Sequence, residues 1–168
     1  PSSCPQELLQ KLIAAHPGLK EAALIDAVGE GKSKVVELLV SKYDVDPNGF
    51  FGHAKETPLM ILMANSKHAQ TTIQENFKAL DRTNRLDVNK VSPFGKTALM
   101  CACELRGSSK ETRSRQRVEF LIKNNAHPIA GGISALGYAA KSLSRAVVLA
   151  MVDRGCRCDA PVSLHNGI

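Results

Sequence analysis

The chain has 168 residues, 43% of them hydrophobic and 23% charged, the proportions of a soluble globular domain or short repeat array and not of a disordered tail. No stretch approaches the ~18 consecutive apolar residues of a membrane span, no basic and apolar leader opens the chain, and five cysteines without such a leader predict free thiols in a reducing compartment. The formal charge of +6 favours acidic partners through a salt-sensitive term, and by itself names none.

These exclusions predict a cytoplasmic protein, with the nucleus as the alternative compartment. Pro1 in place of an initiating Met is compatible with a segment of something longer.

Taken in chain order, residues 5–19 put Leu8, Leu9, Leu12 and Ile13 on a helical stripe, with Pro5 at its start and Pro17-Gly18 at its end. This predicts a capping helix, within an N-terminal unit over residues 1–21. A helix of about eight residues follows from Ala22 and gives way at Gly29-Glu30-Gly31 to a second helix with Val35, Val36, Leu38 and Leu39 as its buried stripe. Asp46-Pro47-Asn48-Gly49 then predicts a tight turn, because Pro fixes one φ angle and Asn-Gly tolerates positive φ.

Thr57-Pro58-Leu59 reads as a helix start, with Thr57 as the cap and Pro58 at the first helical position, where no intrahelical N–H bond is lost. Its partner helix carries Ile73, Phe77 and Leu80, with residues 68–72 looking inserted before it. Thr97-Ala98-Leu99 repeats the helix start, and Val118, Phe120, Leu121 and Ile122 mark the helix that follows. Between them RGSSKETRSRQR, with Arg106, Lys110, Arg113, Arg115 and Arg117, predicts a mobile, solvated basic loop merging into that helix. A fourth pair begins at Ser134 and ends at Asp153-Arg154-Gly155.

The order therefore recurs four times: a short apolar helix, a second apolar helix, then a break rich in Asp, Asn, Pro and Gly. Leu24, Leu59, Leu99 and Leu136 mark it at spacings of 35, 40 and 37 residues, a period that implies a solenoid whose units stack because none can bury its own apolar face.

This recurrence resembles the ankyrin repeat. Thr57-Pro58-Leu59 and Gly95-Lys96-Thr97-Ala98-Leu99 match the start of that family's unit, and Gly31-Lys32-Ser33-Lys34-Val35-Val36-Glu37-Leu38-Leu39 matches its middle. Asp44-Val45-Asp46, Leu86-Asp87-Val88-Asn89 and Asn125-Ala126-His127-Pro128 match its close. The resemblance covers residues 22–159 and implies an all-α solenoid of about four repeats, at 22–52, 53–91, 92–128 and 129–159, with β-hairpin-like connections and the N-terminal cap. Residues 160–168 are a tail or the start of a further repeat. The histidine usual after the first-helix Leu is replaced by Ile25, Met60, Met100 and Gly137, which weakens the expectation of rigid hairpins.

Chemistry finds little support. Gly29-Glu30-Gly31-Lys32-Ser33 ends like a phosphate loop, but Asp26 stands where its first glycine belongs and the segment joins two helices. Cys156 and Cys158, with His165 or distant Cys4, offer one close pair where structural zinc takes two, and Cys101 and Cys103 point apart on a helix. No nucleophile signature surrounds any of His16, His53, His68, His127 or His165. The expectation is a non-enzyme with no cofactor and no metal.

In a chain with no Trp, Phe50, Phe51 and Phe94 fall in the predicted hairpins, where exposed aromatics serve as anchors unless they fold back over a neighbouring repeat. By the resemblance, further partner positions are His53, Ala54 and Glu56, then Pro93, Phe94 and Lys96, then Ala130, Gly131 and Ile133. On the helix ends they are Ala64 and Asn65, Glu104 and Leu105, and Lys141 and Ser142. The function implied is binding of another protein or peptide, acidic by charge, on a concave hairpin and first-helix surface by a chain that is monomeric alone. The alternatives are a regulatory or substrate-recruiting segment of a larger enzyme and, less favoured because the basic loop lacks interleaved aromatics, nucleic-acid binding through residues 106–117.

Overall fold

Each short apolar run can hide its stripe only against another helix, and the described residues meet that need with four consecutive helix pairs. The computed structural model describes residue 16 and residues 18–105, 108–130, 133–141 and 145–153. The expected capping helix, Cys4, Gly131, Ser142 and everything from residue 154, including the Cys156–Cys158 pair and His165, lie outside them.

The pairs are α1 (Gly18–Glu30) with α2 (Ser33–Ser41), α3 (Pro58–Ala64) with α4 (Gln70–Leu80), α5 (Ala98–Cys103) with α6 (Ser108–Lys123), and α7 (Ala135–Lys141) with α8 (Arg145–Val152). First helices pack on first helices and second on second, giving two layers along the stack. The marker residues Leu24, Leu59 and Leu99 are fully buried between the layers and Leu136 partly so. One junction is uneven: α3 and α5 pack closely, while α4 and α6 touch sparsely, with Phe77 and Phe120 edge to face at 5.0 Å and 86°.

Local chemistry sets the helix ends. The hydroxyls of Thr57 and Thr97 each accept the N–H three residues on, from Met60 and Met100, both at 3.3 Å, as the sequence predicts for caps. Helix α1 begins at Gly18, four residues before the expected Ala22, with Glu21 in its first turn complementing the helix dipole. The stripe of α2 is Val36, Leu39 and Val40, while Val35 and Leu38 are each 41% exposed. A nine-residue helix packed from one side buries a single i, i+3, i+4 row, so the broader expected stripe is corrected. The turn at Pro47-Asn48 is present, but its segment's left-handed residue is Asp44 (φ 53), not the Asn-Gly pair.

Helix α1 closes on a Schellman motif: Gly31 N–H donates to Val28 O at 3.2 Å and Lys32 N–H to Ala27 O at 2.8 Å, with Gly31 at φ 74. A Cβ there would stand 2.7 Å from Cγ2 of Thr72 in the next pair. Gly31→Ala is therefore expected to cost about 2 kcal/mol, from left-handed strain plus that clash, read as a lower midpoint in urea denaturation with an unchanged slope.

A second device ties successive repeats together. Asn48 Nδ2 donates to Arg85 O at 2.7 Å while its Oδ1 accepts from Asp87 N–H at 2.8 Å. One repeat later Asn89 Nδ2 donates to Asn125 O at 2.9 Å and its Oδ1 accepts from His127 N–H at 2.6 Å. Each carboxamide satisfies a donor and an acceptor of the next connecting loop, which fixes the pitch of the loops along the stack.

Candidate partner-binding surface

Three connections between repeats turn back on themselves. In the first, Phe51 and Glu56 exchange backbone hydrogen bonds of 2.9 and 3.1 Å, and Gly52 (φ 65) and Lys55 (φ 47) close the tip. In the second, Ser92 N–H donates to Lys96 O at 2.8 Å and Gly95 N–H to Ser92 O at 2.9 Å, with Gly95 at φ 76. The Ser92 hydroxyl also accepts the Lys96 N–H at 3.1 Å. In the third, β1 (Ile129–Ala130) pairs antiparallel with β2 (Ile133–Ser134). One residue that replaces the usual histidine takes part: Thr57 N–H points at the sulfur of Met60, 3.5 Å away.

The aromatic residues of these connections do different things. Phe51 is half-buried and folds back on its own turn, so close to Gly49 that a Cβ there would lie 2.9 Å from its Cζ. Phe50 is half-buried, with Lys90 Nζ 5.7 Å from its ring centre in the neighbouring connection. Phe94, held between Pro93 and Gly95 at the tip of its turn, is 64% exposed and stands free. Fold-back and exposure thus both occur, on different phenylalanines.

Of the other expected partner positions, His53, Ala54, Pro93, Ala64 and Lys141 are exposed and Glu56 is half-buried. Lys96 pairs with Glu104, just beyond α5, at 2.9 Å, and that hydrogen bond raises the Lys96 ammonium above its usual range. Asn65 is half-buried and occupied: its Nδ2 donates to Gly29 O at 2.8 Å. Leu105 is buried, so its side chain presents no surface. The side chains of Ala130 and Ile133 are outside the description.

The basic segment departs most from expectation. Residues 108–123 form one continuous 16-residue helix instead of a solvated loop. Arg, Lys, Gln and Glu are good helix formers, and Glu111 sits in the favourable first turn. Arg117 is 1% exposed and donates to three carbonyls, Met63 O at 2.7 Å, Asn65 O at 2.8 Å and His68 O at 3.0 Å. Its guanidinium thereby caps the last turn of α3, whose carbonyls have no partner within the helix. Burial first, and the Arg113 charge second, pull it down to about 10, which leaves it cationic at neutral pH. Arg113 Nη1 donates to Ser66 O at 2.6 Å and Arg115 pairs with Glu119 at 2.8 Å. Arg106 and the side chain of Lys110 fall outside the described residues.

The stretch expected to be inserted, residues 68–72, is integral too. Helix α4 starts at Gln70, and His68 Nε2 lies 3.1 Å from Val28 O, at the end of α1. Sequence reasoning missed Arg117, Asn65 and His68 as structural residues. Ser114, Arg117, Val118 and Leu121, all buried, do keep a helical i, i+3, i+4, i+7 spacing, but two polar members obscure it.

Among the described residues no group of three or more His, Cys, Asp or Glu could hold a metal. Cys101 and Cys103 are buried and not joined in a disulfide, and burial pushes the Cys101 thiol up to about 12, so at neutral pH it stays protonated. Lys32 of the glycine-flanked turn pairs with Glu30. No helix among the described residues is long and apolar enough to cross a membrane.

No family model matches the sequence, and no curated protein matches it. Among solved structures, the crystal structure of the ankyrin repeat domain of Bcl-3, described as a unique member of the IkappaB protein family, superimposes with a TM-score of 0.59 at 19% identity. The match covers 82% of this chain and 58% of that one, so the chain spans less than two thirds of that domain. With the four stacked helix pairs and turned-back connections, that likeness shows that the chain has the ankyrin-repeat fold, an all-α solenoid.

Proposed function

We infer that the chain is a non-catalytic module that binds another protein or peptide on its hairpin and first-helix surface. The observation that carries this reading is Phe94, a large apolar side chain 64% exposed on a turn tied by three hydrogen bonds. An aromatic anchor already fixed in place loses little freedom on association, so its burial translates into affinity. Pro93, His53, Ala54 and Lys141 are exposed as well, and the Lys96–Glu104 pair offers a partner one charge of each sign. The same reading has the chain act as a monomer in the cytoplasm or nucleus.

The test is affinity capture from source-cell lysate with mass spectrometry, using the wild type, Phe94→Ala and Leu38→Ala. Phe94→Ala should change folding stability by no more than about 0.5 kcal/mol, since the ring is mostly solvated. A protein recovered by the wild type and by Leu38→Ala but lost with Phe94→Ala supports hairpin recognition. Equal recovery by all three removes Phe94 from the binding site.

A further inference from the structure

We propose that the edge of the solenoid where the helices of a pair turn, at the junction of the second and third repeats, is a docking surface for an acidic protein segment. It is separate from the hairpin surface and does not rest on that reading. Arg113 and Arg117, one helical turn apart on α6, both reach residues 63–68 and both end on carbonyl oxygens. Neither has a carboxylate partner among the described residues. Exposed Lys67 stands on the same loop, beside His68.

Glu104, just beyond α5, and the two carboxylates of α6, Glu111 and Glu119, have partners elsewhere. Glu111 accepts the Ala146 N–H at 3.1 Å, Glu119 faces Arg115 and Glu104 faces Lys96. The edge thus concentrates uncompensated positive charge. Buried Arg117 cannot touch a partner but contributes field from a poorly screened position. Arg113 and Lys67 remain to make contact, Arg113 having committed one donor of its five to Ser66. Carboxylates suit these cations, and neither residues 63–70 nor 106–117 contain a Phe, Tyr or Trp to stack a base, which favours an acidic peptide over a nucleic acid.

The probe is a fluorescein-labelled peptide of alternating Glu and Ala, with a single-stranded oligonucleotide of equal charge beside it, followed by anisotropy at low salt. Three proteins are compared: the wild type, Lys67→Glu with Arg113→Glu, and Lys78→Glu with Lys123→Glu. The last makes the same net change at the far ends of α4 and α6. Circular dichroism verifies each fold, and Lys67→Ala with Arg113→Gln replaces the first variant if it unfolds. We expect the edge variant to lose about tenfold or more in peptide affinity and the control less than about threefold. Amide NMR shifts on adding peptide should centre on residues 65–68 and 113–117. Equal losses in both variants, or shifts spread over the surface, would reduce the effect to net charge and overturn the proposal. No peptide binding, or tighter oligonucleotide binding lost only in the edge variant, overturns it as well.

Discussion

Replacing Arg117 with alanine should lower the unfolding free energy by about 3–5 kcal/mol. Three hydrogen bonds from a cation are lost at once, each worth roughly 1.5–3 kcal/mol net. Against that sum stands the relief of no longer burying a guanidinium without a carboxylate, which brings the total down. The carbonyls of Met63, Asn65 and His68 are left without their donor at a site 1% exposed. Arg117→Lys keeps the charge but not the planar fork that reaches three acceptors, and should cost about 2 kcal/mol. Arg117→Leu restores apolar volume only, so it should resemble alanine more than wild type. Urea denaturation of the three variants decides: a leucine variant within about 1 kcal/mol of wild type would show that the carbonyls do not depend on the arginine. Since domains are typically stable by only ~5–15 kcal/mol, the alanine change removes a large share.

The second large effect is expected at Leu99. It is fully buried in α5, which packs on α3 before it and α7 after it, and it belongs to the apolar core that runs through the repeats. Leu99→Ala should cost about 3–4 kcal/mol through lost apolar burial and the cavity left behind. Leu38→Ala, at a position 41% exposed, should cost under about 1 kcal/mol although the residue is again a helical leucine. Equal losses at the two sites would mean that α2 packs through a face other than Val36, Leu39 and Val40.

Much of the architecture was legible because its signals are local. Thr57 and Thr97 cap the helices they precede, Gly31 ends one where left-handed backbone is needed, and Ile73, Phe77 and Leu80 keep their helical row. What stayed hidden depended on neighbours distant in sequence. Phe50, Phe51 and Phe94 looked alike as hairpin aromatics. Only Phe94 is left exposed, because Lys90 and Gly49 lie against the other two. The segment RGSSKETRSRQR read as a solvated loop because it sets a Gly and three Ser within a run of basic residues. Its first described residues instead extend α6, and Arg117 turns inward.

The repeat period, the helix starts and the all-α stack were determined by the order of residues itself, since caps, turns and apolar rows act within a few positions. Which face of α2 is buried, which phenylalanine is free and why an arginine is fully enclosed were decided by the tertiary structure. Stacking brings the unpaired carbonyls at the end of α3, more than 50 residues back along the chain, within reach of Arg117. A buried acceptor needs a donor, whatever the composition of the segment that supplies it.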